Sequence, residues 1–168
     1  MRSIFVIVMC LLTLSLHSQD YDCNDYIDVS EDRMTGNVTV SSKDIIIVSS
    51  DGGSSGFGIL LMQGSGKTLI MSVTAVGGGN CIDDDASMII LFRDGSRLNL
   101  TNNGSFNCDG RFTQYFGGGF GKKSQLDQLM TKEIEAMRVN MRRGFVEEDF
   151  DENHSLSLKR TLICLSDR

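Results

Sequence analysis

Ser87-Met-Ile-Ile-Leu-Phe-Arg-Asp-Gly-Ser-Arg-Leu-Asn-Leu-Thr101 is the stretch whose reading decides the fold class. Two short apolar runs, Met88 to Arg93 and Ser96 to Thr101, flank Asp94-Gly95, and Asp-Gly suits the positive φ of a tight two-residue turn. The stretch reads as an antiparallel hairpin. With Arg93 opposite Ser96, Leu91 faces Leu98 and Ile89 faces Leu100, an apolar pairing on one side of the ladder. The same register, carried outward, reaches Cys81 and Cys108. Asp83-Asp84-Asp85 and Asn102-Asn103-Gly104 interrupt the ladder on the way, but both cysteines leave the hairpin on the same side.

Further runs of strand length lie upstream at short spacing, each bounded by Gly, Ser, Asn or Asp: Asn37 to Val40, Asp44 to Ser49, Phe57 to Met62 and Lys67 to Val76. A possible strand follows at Arg111 to Phe116. In the longest run Leu69, Met71, Val73 and Ala75 alternate with Thr68, Ser72 and Thr74, the period of a half-buried strand. No helical stretch separates these runs, which argues for an antiparallel meander and against βαβ units. Residues 19–35 are polar and acidic and read as an irregular lead-in. Past the glycine cluster at 117–121, Ser124 reads as a helix cap, with Leu126, Leu129, Met130 and Ile134 at helical spacing. The expectation is a helix over about 124–135, a strand over about 137–149, and a short C-terminal helix carrying Leu158, Leu162 and Leu165. The fold class that results is α+β: a mainly antiparallel sheet of six to eight strands with one or two helices packed on one face.

The N-terminus sets the compartment. Arg2 gives a positive start, Ile4 to Leu16 an apolar core, and Leu16-His17-Ser18 a cleavage site, so residues 1–18 read as a signal peptide and 19–168 as one domain. The apolar run falls short of the roughly 20 residues of a membrane span, so no transmembrane segment is expected once the signal is removed. Met9 before Cys10, with the apolar core running past it, argues against a lipoprotein signal. Cleavage removes Arg2 alone among the charged residues. The 16 Lys and Arg then fall by one against 22 Asp and Glu, and the net charge goes from −6 to −7. Such a chain has no electrostatic route to nucleic acid.

Four cysteines follow the signal, and in an oxidising compartment an even count points to disulfides. The hairpin favours Cys81–Cys108, which leaves Cys23 and Cys164 for the second bond. No C-x-x-C pair exists to seed a zinc site, and His154 is the one histidine after His17. No cofactor is expected.

Three strings resemble chemical motifs. Gly64-Ser-Gly-Lys-Thr68 lacks the leading glycine of a phosphate loop, where Leu61 stands, and runs into a strand; it reads as a hairpin turn. Gly52-Gly-Ser54-Ser-Gly56 matches the string of a hydrolase elbow, with His154 as the sole available base. Asp149, Asp151 and Asn153 begin like a calcium loop, but His154 replaces its glycine and Arg160 its closing glutamate. These residues therefore read as a solvated loop, with calcium as the alternative.

Ser18-Gln19, Cys23, Cys81 and Cys108 around Asp94-Gly95, Leu126-x-x-Leu129, Ile134, Met137-Arg138-Val139 and Cys164 form a pattern. It resembles a group of small, uncharacterised exported proteins of flavobacteria and their relatives. The resemblance implies an exported chain and carries no activity or site. The leading functional reading is a secreted or periplasmic disulfide-containing binding or interaction domain for an envelope or extracellular partner. The alternative is an exported hydrolase using Ser54 and His154, or a carboxylate pair among Asp83, Asp84, Asp85, Glu147, Glu148 and Asp149.

Overall fold

Strict side-chain alternation sorts the chain into two antiparallel sheets. The computed structural model describes residues 21–50, 52–77 and 81–168; the segment read as a signal peptide lies outside them. The strands are β1 (Ile27–Glu31), β2 (Val38–Ser42), β3 (Ile46–Ser49), β4 (Gly56–Gln63), β5 (Thr68–Val76), β6 (Ser87–Phe92), β7 (Arg97–Thr101), β8 (Arg111–Gly117), β9 (Ile134–Asn140) and β10 (Phe145–Asp149). The helices are α1 (Lys123–Thr131) and α2 (Glu152–Ser166). The first sheet runs β1-β2-β4-β5-β8, and β3 also pairs with β4; the second runs β10-β9-β6-β7. Ser41 faces Met62 while Ile46 faces Ile59, so β2 and β3 share one edge of β4 on either side of a break. At the break the Ser42 hydroxyl accepts the Leu61 N–H at 3.3 Å.

One core joins both sheets and both helices. Phe57, Ile59 and Leu61 of β4, Leu69, Met71 and Val73 of β5, and Phe112 and Phe116 of β8 form its first wall. Met88, Ile90 and Phe92 of β6, Leu98 and Leu100 of β7, and Met137 and Val139 of β9 form the second. Each such side chain stabilises the fold by roughly 1.5–3 kcal/mol when fully buried. Helix α2 packs along β1 to β4 through Leu158, Leu162 and Leu165, and α1 packs beside β8 and α2. Asp151 caps α2 by accepting the His154 N–H at 2.7 Å. Both disulfides form, Cys81–Cys108 and Cys23–Cys164, the second tying the N-terminal 3-10 turn to buried Cys164 of α2.

The fold class is α+β and antiparallel throughout, with ten strands where the apolar runs alone indicate six to eight. One extra strand is β1, inside the segment read as irregular; Asp28, Ser30 and Glu31 are polar and only Ile27 is buried, so it carries little apolar signal. Another arises because residues 137–149 are not one strand. Gly144 takes φ +88° and its carbonyl accepts the Met141 N–H, turning β9 back into β10. Helix α1 ends at Thr131, short of 135, since the Ile134 N–H is held by Ser155 Oγ at 2.8 Å as β9 begins. Ser124 lies inside α1 and is not its cap.

The hairpin register differs by one residue from the sequence expectation. Phe92 and Ser96 close a three-residue loop, Arg93-Asp94-Gly95, with the Phe92 N–H donating to the Ser96 carbonyl and Gly95 at φ +80°. This is the bulged three-residue alternative to a two-residue turn. Ile90 therefore faces Leu98 and Met88 faces Leu100 on the buried side, while Ile89 faces Asn99 and Leu91 faces Arg97 outside. Beyond the ladder the second limb holds one more residue than the first, so Ile82 pairs with Asn107 and brings Cys81 beside Cys108.

Candidate functional site

Among the described residues nothing covers the outer face of the first sheet, and Asp28 of β1 and Arg111 of β8 are the charged side chains that alternation turns toward it. In β4 and β5 the buried residues alternate with Gly58, Leu60 and Met62 and with Ile70, Ser72, Thr74 and Val76. Cross-strand pairing aligns Met62, Ile70 and Tyr115 in one apolar row, and Phe120 stacks on Tyr115 with ring centroids 4.9 Å apart. Ile45, Ile47 and Val76 are each more than half exposed, at 57%, 64% and 58%. Two adjoining grooves follow from this relief. One, of about 340 Å³, lies among Ile45, Ile47, Gly56, Gly58 and Val76 and reaches Gly53 and Ser55. The other, of about 490 Å³, runs past Ile45, Gly58, Leu60, Met62 and Thr74 to Arg111. Both volumes lie in the range of small-ligand sites. Gly56 is dictated by crowding, because a Cβ there would sit 2.5 Å from the Val48 carbonyl oxygen.

Ser55, at the rim of the first groove, begins a polar chain that runs inward. Ser55 Oγ donates to Glu148 Oε1 at 2.5 Å, and Ser50 Oγ lies 3.1 Å from Ser55 Oγ. Because a hydroxyl has one proton and that of Ser55 goes to Glu148, Ser50 is the donor in the second bond. Glu148 is 7% exposed and, among the described residues, has no cationic partner. It sits on β10, where alternation turns it inward with Val146 toward the seam between the sheets, while Glu147 and Asp149 turn out. Burying a carboxylate is costly unless donors or a cation compensate it.

The second sheet also has an open concavity, about 350 Å³, lined by Ile89, Leu91, Arg97, Ala136, Arg138 and Glu147. Two of its charges are engaged: Arg138 Nε bonds Glu147 and the guanidinium lies over the Phe145 ring, 4.3 Å from its centroid.

The residues singled out from sequence fall in three places. Ser54 is exposed in the 52–56 loop, and among the described residues no hydrogen bond joins it to His154. His154 opens α2, its Nδ1 2.9 Å from Asp151 Oδ1 and its ring edge-on to Phe150. Asp149 and Asn153 are exposed and Asp151 caps α2; among the described residues no three His, Cys, Asp or Glu groups gather as metal ligands. Asp83 pairs with Arg142 at 3.2 Å, and Asp84 and Asp85 are exposed. The hydrolase alternative names Ser54 of the 52–56 loop; the neighbouring Ser55 is the hydroxyl that meets a carboxylate. The unbroken Ile45-Ile-Ile-Val48 run signalled apolar surroundings on both faces of β3, and the strand alternation of Val146 with Glu148 marked the buried acid.

Compared with known proteins, the chain matches no family model, and no curated protein or solved structure is significantly similar to it.

Proposed function

We propose that this chain is an exported, disulfide-bonded binding domain whose ligand site is the outer groove of the first sheet. The observation that carries this reading is a mostly apolar groove, with Arg111 its one charged lining residue, on a sheet face that no described residue covers, in a chain of net charge −6. A patch of this kind on a small domain marks an interaction surface. Export is supported by the positive and apolar N-terminus, by the resemblance to exported proteins, and by two disulfides, which persist in oxidising compartments. Among the described residues no helix is long and apolar enough to cross a membrane. The hydrolase alternative has less support: Ser54 and His154 share no bond, and Asp83 and Glu147 are ion-paired to arginines.

The test is methyl NMR of the oxidised protein from the exported fraction, titrated with a neutral straight-chain alcohol such as 1-octanol. Saturable shifts confined to Ile45, Ile47, Leu60, Met62 and Val76, and lost in Ile47→Asp and Val76→Asp, are expected. The exposure of both positions leaves the core intact in these variants. Shifts that do not saturate, or that persist in both variants, refute the groove as a ligand site.

A further inference from the structure

We infer that the outer concavity of the second sheet is a second binding site, for a small carboxylate with a compact apolar body. It shares no lining residue with the two grooves of the first sheet. Alternation along β6 turns Ile89 and Leu91 outward, half-buried, as its floor. Leu91 pairs with Arg97 on one side and Ala136 on the other, and Ile89 with Asn99 and Arg138. The short side chain of Ala136 beside Leu91 lowers the floor, while the long side chains of Arg97 and Arg138 flank it from β7 and β9. Those two strands stand about 10 Å apart, two strand spacings, which admits one branched chain or one ring.

The two guanidinium groups differ in what they already hold. Arg138 is bonded to Glu147 and stacked over Phe145, so the β9 side of the concavity is a closed ion pair. Arg97 has no ion pair or side-chain hydrogen bond among the described residues. Nor has the side chain of Asn99, two positions along the same face of β7. The β7 side therefore presents a guanidinium fork and an amide with no carboxylate to occupy them. A guanidinium offers parallel N–H groups matched to the two oxygens of a carboxylate. A phosphate or sulfate dianion calls for a second cation, and Glu147 already neutralises the second one here. An ammonium head meets a like charge at Arg97. With the carboxylate on Arg97, the body lies across Leu91 and Ile89 toward Ala136, where its apolar surface leaves water.

Methyl NMR of the exported, oxidised protein tests this with 4-methylpentanoate, 4-methylpentanamide and acetate. The acid is expected to shift the Ile89, Leu91 and Ala136 signals saturably and to leave those of Ile45, Ile47 and Val76 in place. It should bind about fivefold tighter than the amide, the order that a solvent-exposed charged contact gives. Acetate, a head without the body, should bind more weakly than the acid. In Arg97→Gln the acid's advantage over the amide should vanish. Arg97 is exposed, and unchanged core methyl signals without ligand report that the variant is folded. N-acetylleucine carries the same head and branched body on an amide. Tighter binding than 4-methylpentanoate assigns the carboxylate to a peptide C-terminus, and weaker binding assigns it to a free acid. Equal affinity for acid and amide, acetate binding as tightly as the acid, an acid preference that survives Arg97→Gln, or no saturable shift at Ile89 and Leu91 overturns the assignment. Each of these leaves the groove of the first sheet to its own titration.

Discussion

Asp94 shows how much a single turn residue settles. Its Oδ1 accepts the Ser96 hydroxyl at 2.5 Å and the Ser96 N–H at 2.9 Å, and Oδ2 lies 2.9 Å from Lys132 Nζ. The Ser96 hydroxyl, then Lys132, then the Ser96 N–H hold the carboxyl down to about 2, against an ordinary value of 3.8. A depressed carboxyl pKa contributes stability that is present above the unfolded value and is lost as pH falls through the folded one. We therefore expect the stability difference between the wild type and Asp94→Asn to be constant above about pH 4 and to shrink between about pH 4 and 2. Urea melts across that range, with the Asp94 carboxyl followed by NMR, check it; a midpoint near 4 for Asp94 contradicts the assignment. Glycine is equally specific where the chain turns against a neighbour. Gly110 adopts φ +70°, and a Cβ on it would stand 2.3 Å from the Ala75 carbonyl oxygen, so this turn admits no side chain.

At the scale of the element, β6 carries the consequence of the three-residue loop. A shift of one residue in register exchanges the two faces of a strand. Met88, Ile90 and Phe92 therefore enter the core, and Ile89 and Leu91 line the outer concavity of the second sheet. The neighbouring isoleucines make the test. Ile90 is 1% exposed, and Ile90→Ala should cost about 2–5 kcal/mol. Ile89→Ala removes a partly exposed side chain and should cost well under half as much. Chemical denaturation of the two variants measures both, and a larger loss for Ile89 would restore the two-residue turn. The same logic explains β10, where alternation sends Val146, Glu148 and Phe150 inward and leaves Phe145, Glu147 and Asp149 outside.

At the scale of the molecule, the two disulfides act over very different spans. Cys81 and Cys108 are separated by 27 residues and Cys23 and Cys164 by 141. Chain entropy gives about 3.5 kcal/mol for the shorter loop and about 5 kcal/mol for the longer. We expect the Cys23→Ala/Cys164→Ala pair to lower the urea-unfolding free energy more than the Cys81→Ala/Cys108→Ala pair. Buried Cys164 adds a packing loss to the first. An equal or reversed order would show that the loop-entropy account fails here. The longer bond fastens the N-terminal turn to α2, and Arg160 of the same helix reaches Tyr26 Oη at 2.7 Å, so both ends of the described chain are anchored on one helix.

What the amino-acid sequence determined by itself was local. Alternation over Leu69 to Ala75 marks β5, Asp94-Gly95 marks a hairpin, and leucine spacing marks α2, because each depends on the period of one element and on the conformations its residues allow. The cysteine pairing was legible because two hairpin limbs leave in the same direction whichever of two adjacent registers they adopt. Only the tertiary structure decided that there are two sheets, that β2 and β3 share one edge of β4, and that Glu148 meets Ser55 across 93 positions of chain. It also decided which apolar face stays uncovered. Leu60 and Leu61 are adjacent leucines in one strand, and which of them is buried depends on which side of β4 the helices and the second sheet occupy. Local periodicity has no term for that choice; the packing of distant elements makes it.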